Sequence, residues 1–289
     1  MTFHHDIAGQ VDRLHSESWA ALERQTAEKR VAWCRRNLAT LPIGESATPR
    51  AAFETVFLKY LGLSEEDLEI TFESEQEIAW RSANPCDTLE ACGQLGLDTR
   101  VVCRAVYEKS TQAMISVLNP ALRFLRSYTA IRPHATACEE RIVRMDFGGL
   151  MGIALEEARR SRETGNKGYG ALVARGREVI ARAHDTGMTE GDPLLHAEVN
   201  ALRAAIRETG DGNLSGAVLV STCEPCPMCM SYAVWANVSA VVYGASISET
   251  AALGRSRIKI GAAEVAAASP TLIEVIGGIR GQECLELYA

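Results

Sequence analysis

The chain has 289 residues, 47% of them hydrophobic and 23% charged, with a formal net charge of -7. That composition suits a globular protein of about two domains, and the acidity argues against a nucleic-acid partner held mainly by Lys and Arg. No apolar run approaches the roughly 18 residues that a membrane span needs, which excludes a helical membrane protein.

The first residues, Met1 to Asp6, lack a basic segment followed by an apolar one. A signal peptide is therefore not expected, and the expected location is the cytoplasm. Nine cysteines are an odd number, which favours reduced thiols and metal ligands over a disulfide framework.

Residues 7–38 predict one long helix, because Val11, Leu14, Ala21, Leu22, Val31 and Leu38 recur at helical spacing. Leu41-Pro42-Ile43-Gly44 ends it. A second helix is expected over 49–61, with Thr48 as N-cap and Pro49 in the first helical position. Residues 67–73 alternate polar and apolar, and 77–81 continue the pattern, so both read as strands. A helix over 99–117 and a strand over 121–129 follow. Residues 1–143 thus form a small helix-rich α+β domain, to which the sequence assigns no role.

Two features of this half carry alternatives. Arg123, Arg126 and Arg132 with Phe124 and Tyr128 fit an RNA-facing strip or a half-buried strand with a charged face. The acidity favours the strand. Cys86, Cys92, Cys103 and Cys138 do not make paired Cys-x-x-Cys knuckles. They read first as small buried hydrophobes, with a second metal at these four as the other reading. Cys34 and Cys284 read as structural.

From residue 144 onward, strands and helices alternate. A helix is expected over 147–163. Strands at 170–174 and 178–182 are joined by Arg175-Gly176-Arg177 in a tight hairpin. His196 opens a helix entered through Asp192-Pro193. The apolar run 216–220 reads as a buried central strand. Pro225 stops it, and a helix from Cys226-Pro227 carries Cys229 and Trp235, the latter expected in the core. A strand at 240–243, a helix at 246–253, a strand at 272–275 and a last helix from about Gly281 complete an α/β layered domain, 144–289.

Two stretches in this half carry chemistry. His196-Ala197-Glu198 and Pro225-Cys226-Pro227-Met228-Cys229 spell H-x-E and P-C-x-x-C, the pattern of zinc deaminases. Zinc takes His nitrogen and Cys sulfur, and a catalytic site leaves its fourth position for water. His196, Cys226 and Cys229 are the expected ligands of one Zn2+ per chain. Glu198, two residues past the His, stands where a proton shuttle belongs.

With these motifs in place, residues from about 147 to 289 resemble the cytidine deaminase-like superfamily, and within it the branch of guanine deaminases and tRNA adenosine deaminases. His196-Ala197-Glu198-Val199-Asn200-Ala201, Ser221 to Cys229, Trp235-Ala236-Asn237 and Val242-Tyr243-Gly244-Ala245 carry the resemblance. It implies a three-layer α/β/α domain with a mixed five-stranded sheet, assembled as a homodimer or higher homo-oligomer. It also implies a backbone N–H at Cys226 that helps bind the reacting group. Against the alternative of a closed structural zinc site with Cys223 as fourth ligand, Glu198 and the resemblance favour catalysis.

Three positions depart from the branch. Asp185, after His184, stands where an Asn contacts the substrate base. An amide both donates and accepts, whereas an ionised Asp only accepts. Gly254-Arg255-Ser256-Arg257 replaces an acidic pair that binds the exocyclic amine of guanine. Gly168-Tyr169-Gly170 replaces a Pro-Phe-Gly. The expected substrate contacts are Asp185, Ala197, Arg255 and Arg257. The expected enzyme is a zinc-dependent hydrolase of cyclic amidines. Its expected substrate is a small, nucleobase-like amino-heterocycle other than guanine, with an anionic group near Arg255 or Arg257. The alternatives are a tRNA adenosine deaminase and a non-catalytic binding protein on a deaminase scaffold.

Overall fold

The computed structural model describes residues 6–289. Met1 to His5, on which the signal-peptide expectation largely rests, lie outside the described residues. The chain folds as two units, Met1–Met145 and Asp146–Ala289.

In the first unit, α1 (Ile7–Ser16) and α2 (Trp19–Asn37) replace the single expected helix. The break falls where the Ser18 side chain accepts a hydrogen bond from the Ala21 N–H and starts a new helix. Next comes α3 (Pro49–Phe53), capped by Thr48 and continued by wider π-type turns over Glu54–Tyr60. Strands β1 (Leu68–Glu73) and β2 (Glu77–Ser82) form an antiparallel pair. Helices α4 (Asp87–Leu95), α5 (Thr99–Val102) and α6 (Lys109–Leu118) then lead to β3 (Leu122–Arg126) and β4 (Cys138–Arg144). The sheet order is β1-β2-β4-β3, antiparallel throughout.

The core beside this sheet gathers Phe53, Phe57, Trp80 and Phe124 with Ile78, Met114 and Ile142. The rings of Phe53 and Phe57 meet Trp80 edge-on at 4.8 and 4.6 Å. Strand β3 is not a solvent-facing strip: Arg123 is buried, and Arg126 Nε donates to Glu140 Oε1 at 2.8 Å. The Trp80 indole N–H donates to the other oxygen of Glu140 at 3.1 Å. The exposed charged face expected here is replaced by an internal ion pair.

The second unit begins with α7 (Phe147–Glu163), where the Asp146 side chain accepts from the Gly149 N–H. Strands β5 (Gly170–Arg175) and β6 (Glu178–His184) form the expected hairpin. After α8 (Gly187–Glu190) come α9 (Ala197–Thr209), β7 (Ala217–Cys223), α10 (Pro227–Trp235), β8 (Ala240–Ala245), α11 (Ile247–Ala252), α12 (Ala262–Ala267), β9 (Glu274–Ile276) and α13 (Gly281–Glu286). The sheet is five-stranded and mixed, in the order β6-β5-β7-β8-β9. Strand β5 runs antiparallel to both β6 and β7, and β7, β8 and β9 run parallel to one another.

Helices α9, α10 and α12 pack on one face against Ala171, Val173, Leu219 and Val241. Helices α7 and α13 cover the other face, giving three layers. Strand β7 is buried along its whole length, which explains its unbroken apolar run. No helix among the described residues is long and apolar enough to cross a membrane.

Gly170 marks the tightest helix–sheet approach at the site end. A Cβ there would lie 2.0 Å from the Ala154 carbonyl oxygen and 2.5 Å from the Ala158 nitrogen, both backbone atoms of α7. Gly170→Ala should therefore destabilise the protein by about 1–3 kcal/mol. Urea denaturation followed by circular dichroism reads that loss as a lower midpoint, and an unchanged midpoint would mean that α7 moves away freely.

Candidate metal centre

Two helix starts build the site. His196 is the N-cap of α9 and Cys226 the N-cap of α10, both in extended backbone conformation. Pro227 follows at the first helical position, where its missing N–H costs nothing. One turn on, Cys229 is fully buried. The His196 Nδ1 lies 3.7 Å from Cys226 Sγ and 3.5 Å from Cys229 Sγ, and the two sulfurs are 3.7 Å apart. Among the described residues this is the one group of His, Cys, Asp and Glu that brings three donor atoms within 4.8 Å. One nitrogen and two sulfurs at that spacing fit the donor preference of zinc.

The electrostatics suit a cation. The hydrogen bond with Cys229, followed by that with His196, pulls the Cys226 thiol down to about 4 against the opposing effect of burial. The Cys226 sulfur in turn raises the His196 imidazole. Glu198 is 6% exposed, and burial raises its carboxyl above the ordinary range. Its Oε1 accepts from Ser221 Oγ at 3.1 Å, and its Oε2 lies 3.6 Å from Cys229 Sγ.

The expected substrate contacts are distributed unevenly. Asp185 is fully buried, and neither carboxylate oxygen has a hydrogen-bond partner. Its backbone is held instead, the N–H donating to Tyr169 O and the carbonyl accepting from Ser161 Oγ. It lies close enough for its charge to act on His196. Ala197 is buried at the first position of α9. Arg257 Nη2 reaches the Tyr169 hydroxyl at 3.0 Å and Cys223 Sγ at 2.9 Å, and its charge acts on Glu198. Arg255 donates from Nε and Nη2 to the Tyr288 carbonyl, both at 3.3 Å. Its guanidinium therefore anchors the end of the described chain.

Three residues of this region escaped the sequence reading. Ser221 braces Glu198, and only its place inside the motif stretch pointed to it. Glu224 is buried and accepts from the Ile247 and Ala262 N–H groups, each at 2.8 Å, so one carboxylate caps the starts of α11 and α12. Tyr288 stacks on Tyr169 at 4.9 Å and donates to Thr222 Oγ1 at 2.8 Å. No local pattern could reveal a contact 66 residues away.

One expectation is corrected, and one alternative is not supported. Trp235, expected in the core, is 76% exposed as the last residue of α10. Cys86, Cys92, Cys103 and Cys138 offer no second metal a set of three converging donors. Burial raises the Cys86, Cys92 and Cys103 thiols, the last to about 12.

Residues 148–245 match the sequence profile of the cytidine and deoxycytidylate deaminase zinc-binding region. The second unit belongs to the cytidine deaminase-like superfamily. This deaminase-fold unit is 37% identical over 86 residues to a guanine deaminase of Bacillus subtilis, covering 30% of the present chain and 55% of that protein. It is 40% identical over 92 residues to the tRNA-specific adenosine deaminase of the same organism, covering 32% and 57%. It is also 43% identical over 105 residues to a tRNA(Ile)-lysidine synthase of Deinococcus deserti, covering 36% and 20%. The chain thus spans between a fifth and somewhat over half of these relatives' lengths. A solved structure from a study of tRNA:A34 deaminases is 30% identical, with a TM-score of 0.42, covering 48% of this chain and 98% of that one.

If His196, Cys226 and Cys229 hold the metal of this deaminase-fold unit, Cys226→Ser should lower bound zinc from about one per chain to well below it. Elemental analysis of the purified, dialysed protein reads the change. Full retention of zinc would remove Cys226 from the ligand set.

Proposed function

We propose that the second unit hydrolytically removes the amino group of a small amino-substituted nitrogen heterocycle, releasing ammonia. The observation that carries this is the buried Glu198 carboxylate beside the three converging donors of His196, Cys226 and Cys229. When bound there, zinc supplies Lewis-acid activation of water and substrate.

The residues of the chain do the rest. Glu198 takes a proton from the attacking water and passes it to a ring nitrogen. It then takes the remaining proton from the hydroxyl added to the ring carbon and delivers it to the departing amine, so water and the amino compound become ammonia and an oxo-heterocycle. The raised protonation range of this buried group suits a residue that must hold a proton part of the time. Ser221 keeps the carboxylate oriented. The Cys226 N–H, at the positive end of α10, faces the charge that develops at the reacting group.

Asp185 supports a narrower reading. Buried polar groups almost always have partners, and an ionised carboxylate can only accept. A ring N–H or amino group of the substrate supplies what Asp185 lacks. Arg257, tied to Tyr169 and Cys223, adds positive charge near the same centre and suits an anionic substituent. Guanine deaminases of the branch pair an Asn with an acidic pair, so these positions favour a ring other than guanine. The 40% identity to a tRNA-specific adenosine deaminase supports a second reading, in which the heterocycle is an adenine within tRNA.

Glu198→Ala should retain zinc and lose at least about 100-fold in ammonia release. The test is a coupled ammonia assay across purines, pyrimidines, pterins, triazines and tRNA. Wild-type turnover of tRNA with no free heterocycle accepted would select the second reading, and undiminished activity of the variant would remove Glu198 from catalysis. Asp185→Asn should lower kcat/KM for the best substrate by about 10- to 100-fold, because one of its two acceptor oxygens is replaced by a donor. An equal loss with every ring in the panel would instead point to a structural role for Asp185.

A further inference from the structure

A cleft of about 510 Å³ lies on the second unit, along the free edge of the sheet at β6. Its size suits a small ligand. Four guanidiniums line it, from Arg160, Arg182, Arg203 and Arg207, against the two carboxylates of Glu157 and Glu190. None of these groups belongs to the His196, Cys226 and Cys229 set.

The arginines fall into two pairs. Arg160 and Arg182 each reach the same Glu157 oxygen at 3.4 Å, and the His184 ring nitrogen reaches the other oxygen at 3.1 Å. Glu157 is 3% exposed, so it anchors three basic groups from below. Arg203 and Arg207 stand four residues apart on α9, hence on one helical face. Neither has an ion pair among the described residues, and both border the cleft. Like charges at this spacing repel across a helix face. An anion seated between them would remove that penalty.

We propose that this cleft binds a compact, multivalent phosphate-type anion. Guanidinium forks match phosphate oxygens two at a time, and a lone carboxylate would leave most of the four unused. The arginines converge on one cleft and do not run along an extended track. With a chain net charge of -7, that favours a compact anion over a nucleic-acid backbone. The cleft shares a wall with the metal centre. Asn200 donates to the carbonyls of His184 and Leu195 at 2.9 and 3.4 Å, and these residues immediately precede Asp185 and His196. Binding is nevertheless independent of the proposed deamination and is tested without it.

Isothermal titration calorimetry of the full chain at low salt, with sodium pyrophosphate as probe, decides the matter. Pyrophosphate should bind at one site per chain. The exposed-residue variant R203A/R207A should weaken it at least about 10-fold, with an unchanged circular dichroism spectrum. R177A, in the β5–β6 turn, should bind like the wild type. Orthophosphate and a single-stranded RNA oligonucleotide form separate arms. Weaker binding of orthophosphate supports the multivalent reading. No pyrophosphate binding up to millimolar concentration, equal binding by R203A/R207A, or binding of RNA alone would each overturn the proposal.

Discussion

The second unit depends on bringing two helix starts to one point beside the sheet. His196 and Cys226 begin α9 and α10, and their donor atoms must converge within a few ångström for any cation to be shared. Small side chains permit this. Ala201 and Ala205 of α9, with Ala233 and Ala236 at α10, are buried in the layer that faces Ala171 and Leu219. Larger residues would lift a helix and carry its donor away. Glu224 completes the constraint: with β7 ending one residue earlier, its carboxylate fixes the starts of α11 and α12 beside the cysteines. Packing, capping and ligand geometry are thus one requirement.

Most of this half was legible because its signals are local. The hairpin at Gly176, the unbroken apolar run of β7 and Pro227 after Cys226 each state an element within a few residues. The donor set was legible because its chemistry is written in residue types and spacing. The first unit was harder. The break between α1 and α2 turns on one capping Ser within a pattern that stays helical on both sides. Strand β4 carries Glu139, Glu140, Arg141 and Arg144, and α4 has no long apolar stripe, so neither stands out by periodicity. The alanine-rich α12 was missed for a similar reason, since its start is set by the distant Glu224.

Long-range partners explain the remaining errors. Arg123 and Arg126 look like surface residues in a strand, yet Arg123 is buried and Glu140 on the neighbouring strand lets Arg126 sit half-buried. Trp235 looks like a core residue because aromatic rings are usually covered, yet α10 ends there and turns it outward. Arg255 and Arg257 stand two residues apart and look equivalent in sequence. The structure separates them through Tyr288, which takes the first guanidinium on its carbonyl, while Tyr169 and Cys223 take the second.

Three buried carboxylates of the second unit show how partners distinguish architecture from chemistry. Glu157 meets three basic side chains, and its burial is compensated within the protein. Glu198 has one hydroxyl and one thiol as neighbours, and burial leaves it partly inclined to hold a proton. Asp185 has no partner on either oxygen. A buried polar side chain without partners is unfavourable in a dry interior. The Asp185 N–H donates to the Tyr169 carbonyl and the Asp185 carbonyl accepts from Ser161 Oγ, so the main chain is held while the side chain stays unsatisfied. That division leaves the main chain anchored and the acceptor open beside His196, which supports the proposed contact with a donor on the substrate.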